Sequence, residues 1–538
     1  MLRRIKPDTR VEETDAAVKI ADASFPVPFG HRLEFNAPVH GTWNIVHIGM
    51  LVPQCHQIYV CADNCMRGVV LTAAEMGADD RFSSVLLEED DLYDQNLETI
   101  TIEGVSDIIR RLPVRPRAVA VFLVCLHHFV GTDASYVYKT LEERFPDIDF
   151  IRGWMDPVMQ KTGLTPEQKL KEAMYRPIRP LPVDPKLVCV LGDNQALYPD
   201  SDLARLVAKA GGRVLQLHDW RAHGRRIGVL SGEEGDTEDE HFAFCKNYDD
   251  FLGIGAAGLL ITRSPSGVHG VTQLAKRLGR PFLYLPPVSG EEEIRRQIET
   301  LARTLEEISA GQANASADGI SAGQANASAD GIFPGQANAS ADGDFPGQAN
   351  ANADGGFPGQ ANANADGISS IQTDAAAIIQ EGTLAASRAL QHARSLIGDT
   401  EITVDYIGNT RTLSLTKRLV QSGFHVTRVY LDAVLPEEEA DFRWLQENCP
   451  DLLLTATIHP GMRVLHAAEN TGKMLAIGPK AAWFGGTAHF VNLVEFGGLW
   501  GNAGIIRLAQ LMEDSFLHEK DTRTIIPRKG QGCKCVLQ

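Results

Sequence analysis

Short apolar segments alternate with helical segments along most of the chain, and this alternation constrains the fold more than any other feature. Before residue 310, strand-like runs such as Lys186 to Gly192 and Gly258 to Thr262 are separated by amphipathic stretches. After residue 369 the pattern returns, and a run from Ile402 to Ile407 follows a long helical segment. Alternation at this spacing predicts parallel, doubly wound sheets, so the sequence predicts an α/β fold.

The chain is too long to fold around one core. It has 538 residues, and chains beyond about 300 residues divide into domains. From the positions of the strand and helix patterns we predict a first α/β lobe over residues 1–185, a second over 186–309 and a third over 370–538.

Residues 310–369 separate the second and third lobes and consist of five copies of a 12-residue unit, such as AGQANASADGIS. Each copy holds one or two large apolar residues. Such a unit cannot bury enough apolar surface to offset the entropy lost on ordering. We therefore predict a low-complexity, flexible surface insertion. The alternative is a solenoid of stacked repeats.

Charge and cysteine content narrow the class of protein. The net charge is −18, which argues against a nucleic-acid surface, because phosphate binding needs an excess of Lys and Arg. No apolar run reaches 18 residues, and no hydrophobic segment follows the N-terminal charges. These observations predict neither a transmembrane span nor a secretory signal. The nine cysteines are scattered and odd in number, which favours free thiols in the cytoplasm.

Three cysteines lie where strands are predicted to end. Cys61 ends an apolar run that starts at Gln57, Cys65 comes just before a predicted helix, and Cys125 follows the run Ala118 to Val124. Because the carboxyl ends of parallel strands lie at one edge of a sheet, we expect these thiols to be close together. Soft thiolate ligands suit iron, so the sequence predicts an iron–sulfur cluster bound by these cysteines. The alternative is a set of buried structural cysteines.

Other cysteines are weaker candidates. Cys55 lies in a predicted turn and is a possible further ligand, whereas Cys189 and Cys245 are interpreted as core thiols. The C-terminal pair Cys533 and Cys535 fits a metal-handling or redox tail, or a tail with no role.

Histidines are dense around the proposed cluster. His127 and His128 follow Cys125 directly, and His40, His47 and His56 precede or flank the first cysteines. Imidazole titrates near neutral pH and also binds metals. His127 and His128 are therefore candidate catalytic residues, and structural histidines are the alternative.

The segments IVHIGMLVPQCHQIYVCADNCMRG and FLVCLHHFVGTD resemble the component 1 superfamily of nitrogenase-like oxidoreductases. This superfamily includes nitrogenase catalytic subunits, cofactor-assembly scaffolds and dark-operative protochlorophyllide reductase subunits. The resemblance implies three Rossmann-like lobes with a site between them. In family terms Cys65 and Cys125 match two of three cluster-ligating cysteines, and Val39 stands where the third is expected. The glycine-rich stretch from Trp483 to Gly501 resembles the family's C-terminal segment over the interlobe site, with His489 as a possible metallocofactor ligand.

The resemblance also implies an activity. It predicts a redox enzyme subunit that takes low-potential electrons from an ATP-dependent iron–sulfur reductase and reduces a small molecule. A homologous subunit or a second copy of the chain would share the cluster interface. No G-x-x-x-x-G-K-[ST] motif is present, since Met474 follows Gly472 and Lys473, so we predict no intrinsic ATP hydrolysis. A non-catalytic scaffold for metallocofactor assembly is the main alternative. A metal-free α/β protein that resembles nucleotide-sugar or periplasmic binding proteins is a third.

Overall fold

The computed structural model describes residues 16–29, 45–76, 78–93, 96–155, 164–217, 241–311, 320–321, 370–457, 459, 462 and 472–520. These residues form a mixed α/β structure with three mainly parallel sheets, which confirms the predicted fold class. No helix in the described part of the chain is long and apolar enough to cross a bilayer.

The strands follow the apolar, β-branched runs of the sequence. In chain order they are β1 Ala17–Lys19, β2 Cys55–Cys61, β3 Phe82–Leu86, β4 Ala118–Val124, β5 Asp149–Met155, β6 Asp184–Val190, β7 Arg213–Gln216, β8 Phe242–Phe244, β9 Ala257–Thr262, β10 Phe282–Tyr284, β11 Ile320–Ser321, β12 Glu401–Asp405, β13 Val426–Tyr430, β14 Leu453–Thr455, β15 Met474–Ile477 and β16 Phe490–Val491.

Helices connect most of these strands. They are α1 Ile45–Gly49, α2 Asp63–Met76, α3 Glu89–Tyr93, α4 Leu97–Arg111, α5 Cys125–Phe129, α6 Ala134–Arg144, α7 Pro166–Met174, α8 Asp202–Lys209, α9 Tyr248–Leu252, α10 Val268–Leu278, α11 Glu291–Ser309, α12 Ser370–Ile397, α13 Thr412–Gln421, α14 Glu439–Asn448, α15 Pro479–Gly485 and α16 Gly501–Leu517. A further helix that the sequence predicts near residues 462–469 falls almost wholly outside the described residues.

Each sheet reverses its strand order at one point. The orders are β3-β2-β4-β5 in the first sheet, β11-β10-β9-β6-β7-β8 in the second and β1-β14-β13-β12-β15-β16 in the third. After β2, β6 and β12, the next strands of each sheet are added on one side of that strand. At β4, β9 and β15 the chain crosses over and adds strands on the other side. In open parallel sheets, ligands bind at the carboxyl ends of the strands beside such a switch point.

The N-terminal strand β1 belongs to the third sheet. It pairs antiparallel with β14, with Ala17 opposite Thr455. The ring of Phe25, just beyond β1, lies 5.7 Å from that of Phe442. The first described residues of the predicted first lobe thus belong to the third sheet. The limits of the three lobes remain a prediction.

Apolar cores join neighbouring sheets. One cluster combines side chains of the second and third sheets with Ile298 of α11, Leu390 of α12 and Leu508 of α16. Another combines Tyr59 of the first sheet with Leu260 of the second. Because burial of apolar surface is shared across these contacts, the three sheets stabilise one another.

The repeat begins after α11 and ends before α12. Of residues 312–369 only Ile320 and Ser321 are described, and they form β11, a parallel addition to the edge of β10. The other repeat residues lie outside the described residues, so their flexibility remains a prediction.

We expect the repeat to be dispensable for folding. Replacing residues 310–369 with a short Gly/Ser linker should change the free energy of unfolding by less than about 2 kcal/mol, because each copy offers so little apolar surface for burial. Urea unfolding of the full chain and of the deletion variant measures the difference. A larger loss would mean that the repeat packs on the fold, as the solenoid alternative requires.

Candidate functional site

Cysteines flank the switch point of the first sheet. Strands β2 and β4 are neighbours there, with Tyr59 opposite Phe122. Continuing this register by two residues sets Cys61, the last residue of β2, beside Val124, the last residue of β4. Cys125 follows at once as the first residue of α5. The structure therefore places Cys61 and Cys125 at one sheet edge, at the position where ligands of such sheets bind.

Cys65 lies in the first turn of α2. The helix begins at Asp63, so Cys65 lies inside it. The prediction that Cys65 precedes the helix is therefore wrong. Its N–H donates to the carbonyl of Ala62 at 2.9 Å, and the side chain is exposed. The backbone N–H groups of a first helical turn attract negative charge, so they would stabilise a thiolate at this position once a metal is bound.

The three thiols influence one another electrostatically. Burial raises the pKa of Cys61 to about 12, with smaller contributions from Cys65 and Asp63. Burial also raises the pKa of Cys65, and the neighbouring Cys125 adds to the effect. Without a cation the Cys61 and Cys65 thiols stay protonated at neutral pH. A bound metal would supply the positive charge that deprotonates them.

The described residues do not form a complete metal site by themselves. Within the described ranges no group of three or more His, Cys, Asp or Glu side chains is arranged to hold a metal ion. The segment with Val39, where the resemblance expects a further ligand, lies outside those ranges, as does His40. The geometry therefore brings the predicted cysteines to one edge without closing a ligand shell.

Cys55 lies at the opposite end of the sheet. It is the first residue of β2 and fully buried, six residues before Cys61. At a rise of about 3.3 Å per residue, their Cα atoms are separated by roughly 20 Å. Burial raises the pKa of the Cys55 thiol to about 11. His56 sits beside it, with its Nε2 2.8 Å from the hydroxyl of Ser83. We leave both residues out of the proposed ligand set.

The two candidate catalytic histidines have different environments. His127 is fully buried, and its Nδ1 accepts from the N–H of Val124 at 3.2 Å. Burial lowers the pKa of His127 to about 4. The exposed His128 stacks on Trp154, with 4.0 Å between ring centroids. Of the two, only His128 can exchange protons with solvent directly.

The burial of His127 predicts a pH dependence of stability. Its pKa is about 4 in the folded state and about 6.5 in an unfolded chain, so below pH 6.5 the unfolded state binds the proton first. Stability is unaffected by this group above pH 6.5 and falls as the pH drops towards 4. Between pH 7 and pH 5, we expect wild type to lose about 2 kcal/mol more than a His127→Gln variant. Urea unfolding at both pH values measures this, and equal losses would contradict it.

The remaining cysteine predictions concern the second sheet and the tail. Cys189 is fully buried inside β6, and Cys245 is fully buried just after β8. Both positions suit core thiols. The seven described cysteines form no disulfide. Cys533 and Cys535 lie outside the described residues.

A buried ionic cluster, absent from the sequence analysis, occupies the switch point of the second sheet. Thr165 caps the N-terminus of α7. Glu167 and Lys171 lie four residues apart on this helix, so their side chains are one turn apart. Glu167 Oε1 lies 2.6 Å from Lys171 Nζ and accepts from the Ser266 hydroxyl at 2.6 Å. Asn194, after β6, donates to the same oxygen at 2.9 Å. Lys171 is fully buried and Glu167 is 4 % exposed, so each charge depends on the other.

A turn with strained backbone angles connects the third sheet with this ionic cluster. Glu495 and Phe496 have φ angles of 49° and 60°, which non-glycine residues rarely adopt. Their N–H groups donate to the carbonyls of Ile407 and Gly408 after β12. Asn194 donates to the Glu495 carboxylate at 3.2 Å. The turn thus bridges the carboxyl edges of the second and third sheets, and the contacts across it offset the backbone strain.

The side chain of His489, a possible metallocofactor ligand in the sequence analysis, lies beside α16. Its Nδ1 lies 3.0 Å from the carbonyl of Ser515 in α16, and its Nε2 lies 3.8 Å from Glu519. These contacts give His489 a structural role beside α16.

The switch point of the third sheet is also polar. Asp405 ends β12, and its carboxylate accepts from the N–H groups of Gly408 and Ala481. Burial raises the pKa of Asp405 to about 6. Lys480 donates to the hydroxyls of Tyr406 at 2.5 Å and Thr457 at 2.9 Å. All three switch points therefore hold reactive or charged side chains, and the first differs from the others in presenting thiols.

The fold is shared with solved nitrogenase structures. A structure of nitrogenase Cp1 at pH 6.5 aligns with a TM-score of 0.53 and 13 % identity, over 90 % of this chain and 93 % of that chain. A structure of nitrogenase Cp1 at pH 5 aligns with a TM-score of 0.51 and 12 % identity, over 96 % of both chains. No protein-family model matches the chain, and no curated protein matches its sequence. The likeness confirms the predicted nitrogenase component 1-like fold and shows the fold alone.

Proposed function

We propose that the chain is a subunit of a nitrogenase-like oxidoreductase and binds an iron–sulfur cluster through Cys61, Cys65 and Cys125. The observation that carries this proposal is the position of the three thiols at the switch point of the first sheet. The fold-level similarity to nitrogenase Cp1 over at least 90 % of the chain supports it.

All three donors fit such a cluster in chemistry, and two of them also fit in access. Thiolates are the usual ligands of iron–sulfur clusters. Cys65 is exposed and Cys125 is partly exposed, so both can reach a group at the surface. Cys61 is fully buried, and its contribution is accordingly the weakest of the three. When bound, the cluster would accept and pass on single electrons.

A partner surface would complete the ligand shell. Leu86 lies opposite Cys61 in the ladder between β2 and β3 and is 50 % exposed. Phe129 ends the helix that Cys125 begins and is 71 % exposed. Large exposed apolar side chains beside a functional edge favour contact with another protein. We propose that a homologous subunit or a second copy of the chain covers this edge and supplies the missing ligands.

The electron donor in this proposal is an ATP-dependent iron–sulfur reductase that resembles the nitrogenase iron protein. Low-potential electrons would enter at the cluster and reduce a small molecule. The free thiols suit a reducing compartment, and we propose the cytoplasm. The three α/β lobes, with the repeat between the second and third, are the proposed domains.

Anaerobic reconstitution tests the proposal. The purified full chain is incubated with ferrous iron and sulfide, desalted, and analysed for bound iron, bound sulfide and visible charge-transfer absorption. We expect stable binding of both elements and a visible band. Protein that binds no iron under these conditions, also when its co-purifying partner is present, would refute the proposal.

A non-catalytic scaffold is the second candidate, and the buried ionic cluster favours it. Glu167, Lys171 and Ser266 fill space at the switch point of the second sheet with the chain's own side chains. A cluster on the first sheet could then be held or assembled without a substrate site between the lobes. Mixing the reconstituted protein with a reduced nitrogenase iron protein and ATP separates the two functions. Oxidation of the reductase supports electron transfer, whereas iron binding without it supports the scaffold.

A further inference from the structure

A pocket lies between the C-terminal end of α7 and α10. It encloses about 420 Å³, a volume within the range of small-molecule sites. Its lining combines apolar surface with charged and polar side chains, among them Glu172, Tyr175, Arg176, Gln273, Lys276 and Arg277.

The backbone at the wall of the pocket is closely packed. Gly270 packs directly on the backbone of α7, where an added Cβ would lie 2.8 Å from the carbonyl carbon of Lys171. The Tyr175 hydroxyl accepts from the N–H of Gly192 at 2.8 Å, which ties the C-terminal end of α7 to the segment after β6. A ligand would therefore meet a preformed backbone wall, which lowers the entropic cost of binding.

The cations of the pocket are poorly compensated. Within the described residues, the exposed side chains of Arg176 and Lys276 make no hydrogen bond or ion pair. Arg277 donates to the backbone carbonyls of Tyr175 and Arg176 and pairs with no carboxylate in the part of the chain that the structure describes. These bonds cap the C-terminal end of α7, which accounts for Arg277 but not for the other two cations.

The single carboxylate of the lining, Glu172, lies 3.0 Å from Nε2 of His269. The hydrogen bond to His269 lowers the pKa of Glu172, and the positive charge of Arg176 makes a smaller contribution, so one carboxylate faces several cations. The pKa of Arg277 is lowered by burial and by the positive charges of Arg179 and Arg176. The chain has a net charge of −18, so the cluster of cations around this pocket is a local exception. The positive potential of such a cluster attracts anions.

We propose that this pocket binds a small polyanion, a molecule that carries two or more phosphate or carboxylate groups, through Arg176 and Lys276. The Arg176 guanidinium can bind either kind of group with paired hydrogen bonds, Lys276 adds a point charge, and Arg277 adds positive charge nearby. The pocket is separate from the cysteine edge of the first sheet, so this inference does not depend on cluster binding.

Calorimetric titration tests the proposal with pyrophosphate and with citrate as probes, at constant ionic strength. We expect saturable binding of at least one probe by the full chain, and the tighter probe identifies phosphate or carboxylate as the recognised group. Arg176→Gln and Lys276→Gln should each weaken that binding about tenfold, since each removes a charge-assisted hydrogen bond. Neither side chain supports the fold through a hydrogen bond, so both variants should fold.

Arg388→Gln on α12 is the matched control. Arg388 is also exposed, and its loss changes the net charge equally, so binding should stay at the wild-type level. Absence of saturable binding of both probes would overturn the proposal. An equal loss in the control and in the pocket variants would overturn it as well, because binding would then reflect overall charge.

Discussion

A Lys171→Met variant is expected to lose about 3–5 kcal/mol of folding free energy, because it leaves the Glu167 carboxylate buried without its cation. Lys171 Nζ lies 2.6 Å from Glu167 Oε1, and neither side chain is more than 4 % exposed. The other Glu167 oxygen, Oε2, has no hydrogen-bond partner among the described residues. Ser266 and Asn194 would remain as donors, but neutral donors do not replace a charge. Urea unfolding at pH 7 measures the loss.

Two further variants isolate the cause. Glu167→Gln combined with Lys171→Met removes both charges and should be more stable than Lys171→Met alone, because no buried charge is left unpaired. Lys209→Met breaks the exposed pair between Lys209 and Asp374 and should cost less than about 1 kcal/mol. A Lys171→Met variant as stable as wild type would show that the buried pair does not hold α7 against the second sheet.

The sequence predicted most of the central strands because they are continuous apolar runs. β4 begins and ends at the predicted residues, Ala118 and Val124, since both faces of that strand are buried. Boundaries next to turns were harder to predict. β2 begins at Cys55, two residues before the predicted start, because Gln54 adopts a left-handed φ of 57° and the chain straightens directly after it.

Features that depend on tertiary contacts were not predictable. In sequence, Glu167 and Lys171 form a glutamate–lysine pair at i and i+4, a pattern that usually belongs to a solvated helix face. Only the packing of α7 against β5 of the first sheet and against α10 buries it. The pairing of β1 with β14 joins residues more than 430 positions apart, and no local pattern signals such a contact. The cysteine edge was predictable because strand ends can be inferred from the chain itself.

Loss of Cys65 or Cys125 is expected to have the largest effect on the proposed function. Each is an accessible thiol at the start of a helix at the same sheet edge. Removal of one ligand exposes iron at an open position, which makes it labile. Cys65→Ala and Cys125→Ala should therefore each lose most of the bound iron after anaerobic reconstitution. Cys61→Ala should have an intermediate effect, because its thiol is buried.

Cys189→Ala is the matched control. Cys189 is a fully buried thiol inside β6, in a different sheet from the proposed ligands. Its replacement removes one sulfur from the chain without touching the cysteine edge, so the variant should keep the wild-type iron content. The comparison corrects for any general effect of removing a thiol.

The most direct test of the central claim is the iron content of Cys125→Ala relative to Cys189→Ala, measured after identical anaerobic reconstitution with iron and sulfide. The account predicts that Cys189→Ala retains the wild-type iron and the visible band, while Cys125→Ala loses most of both. Full iron in Cys125→Ala would contradict the claim that Cys61, Cys65 and Cys125 share one cluster at the edge of the first sheet.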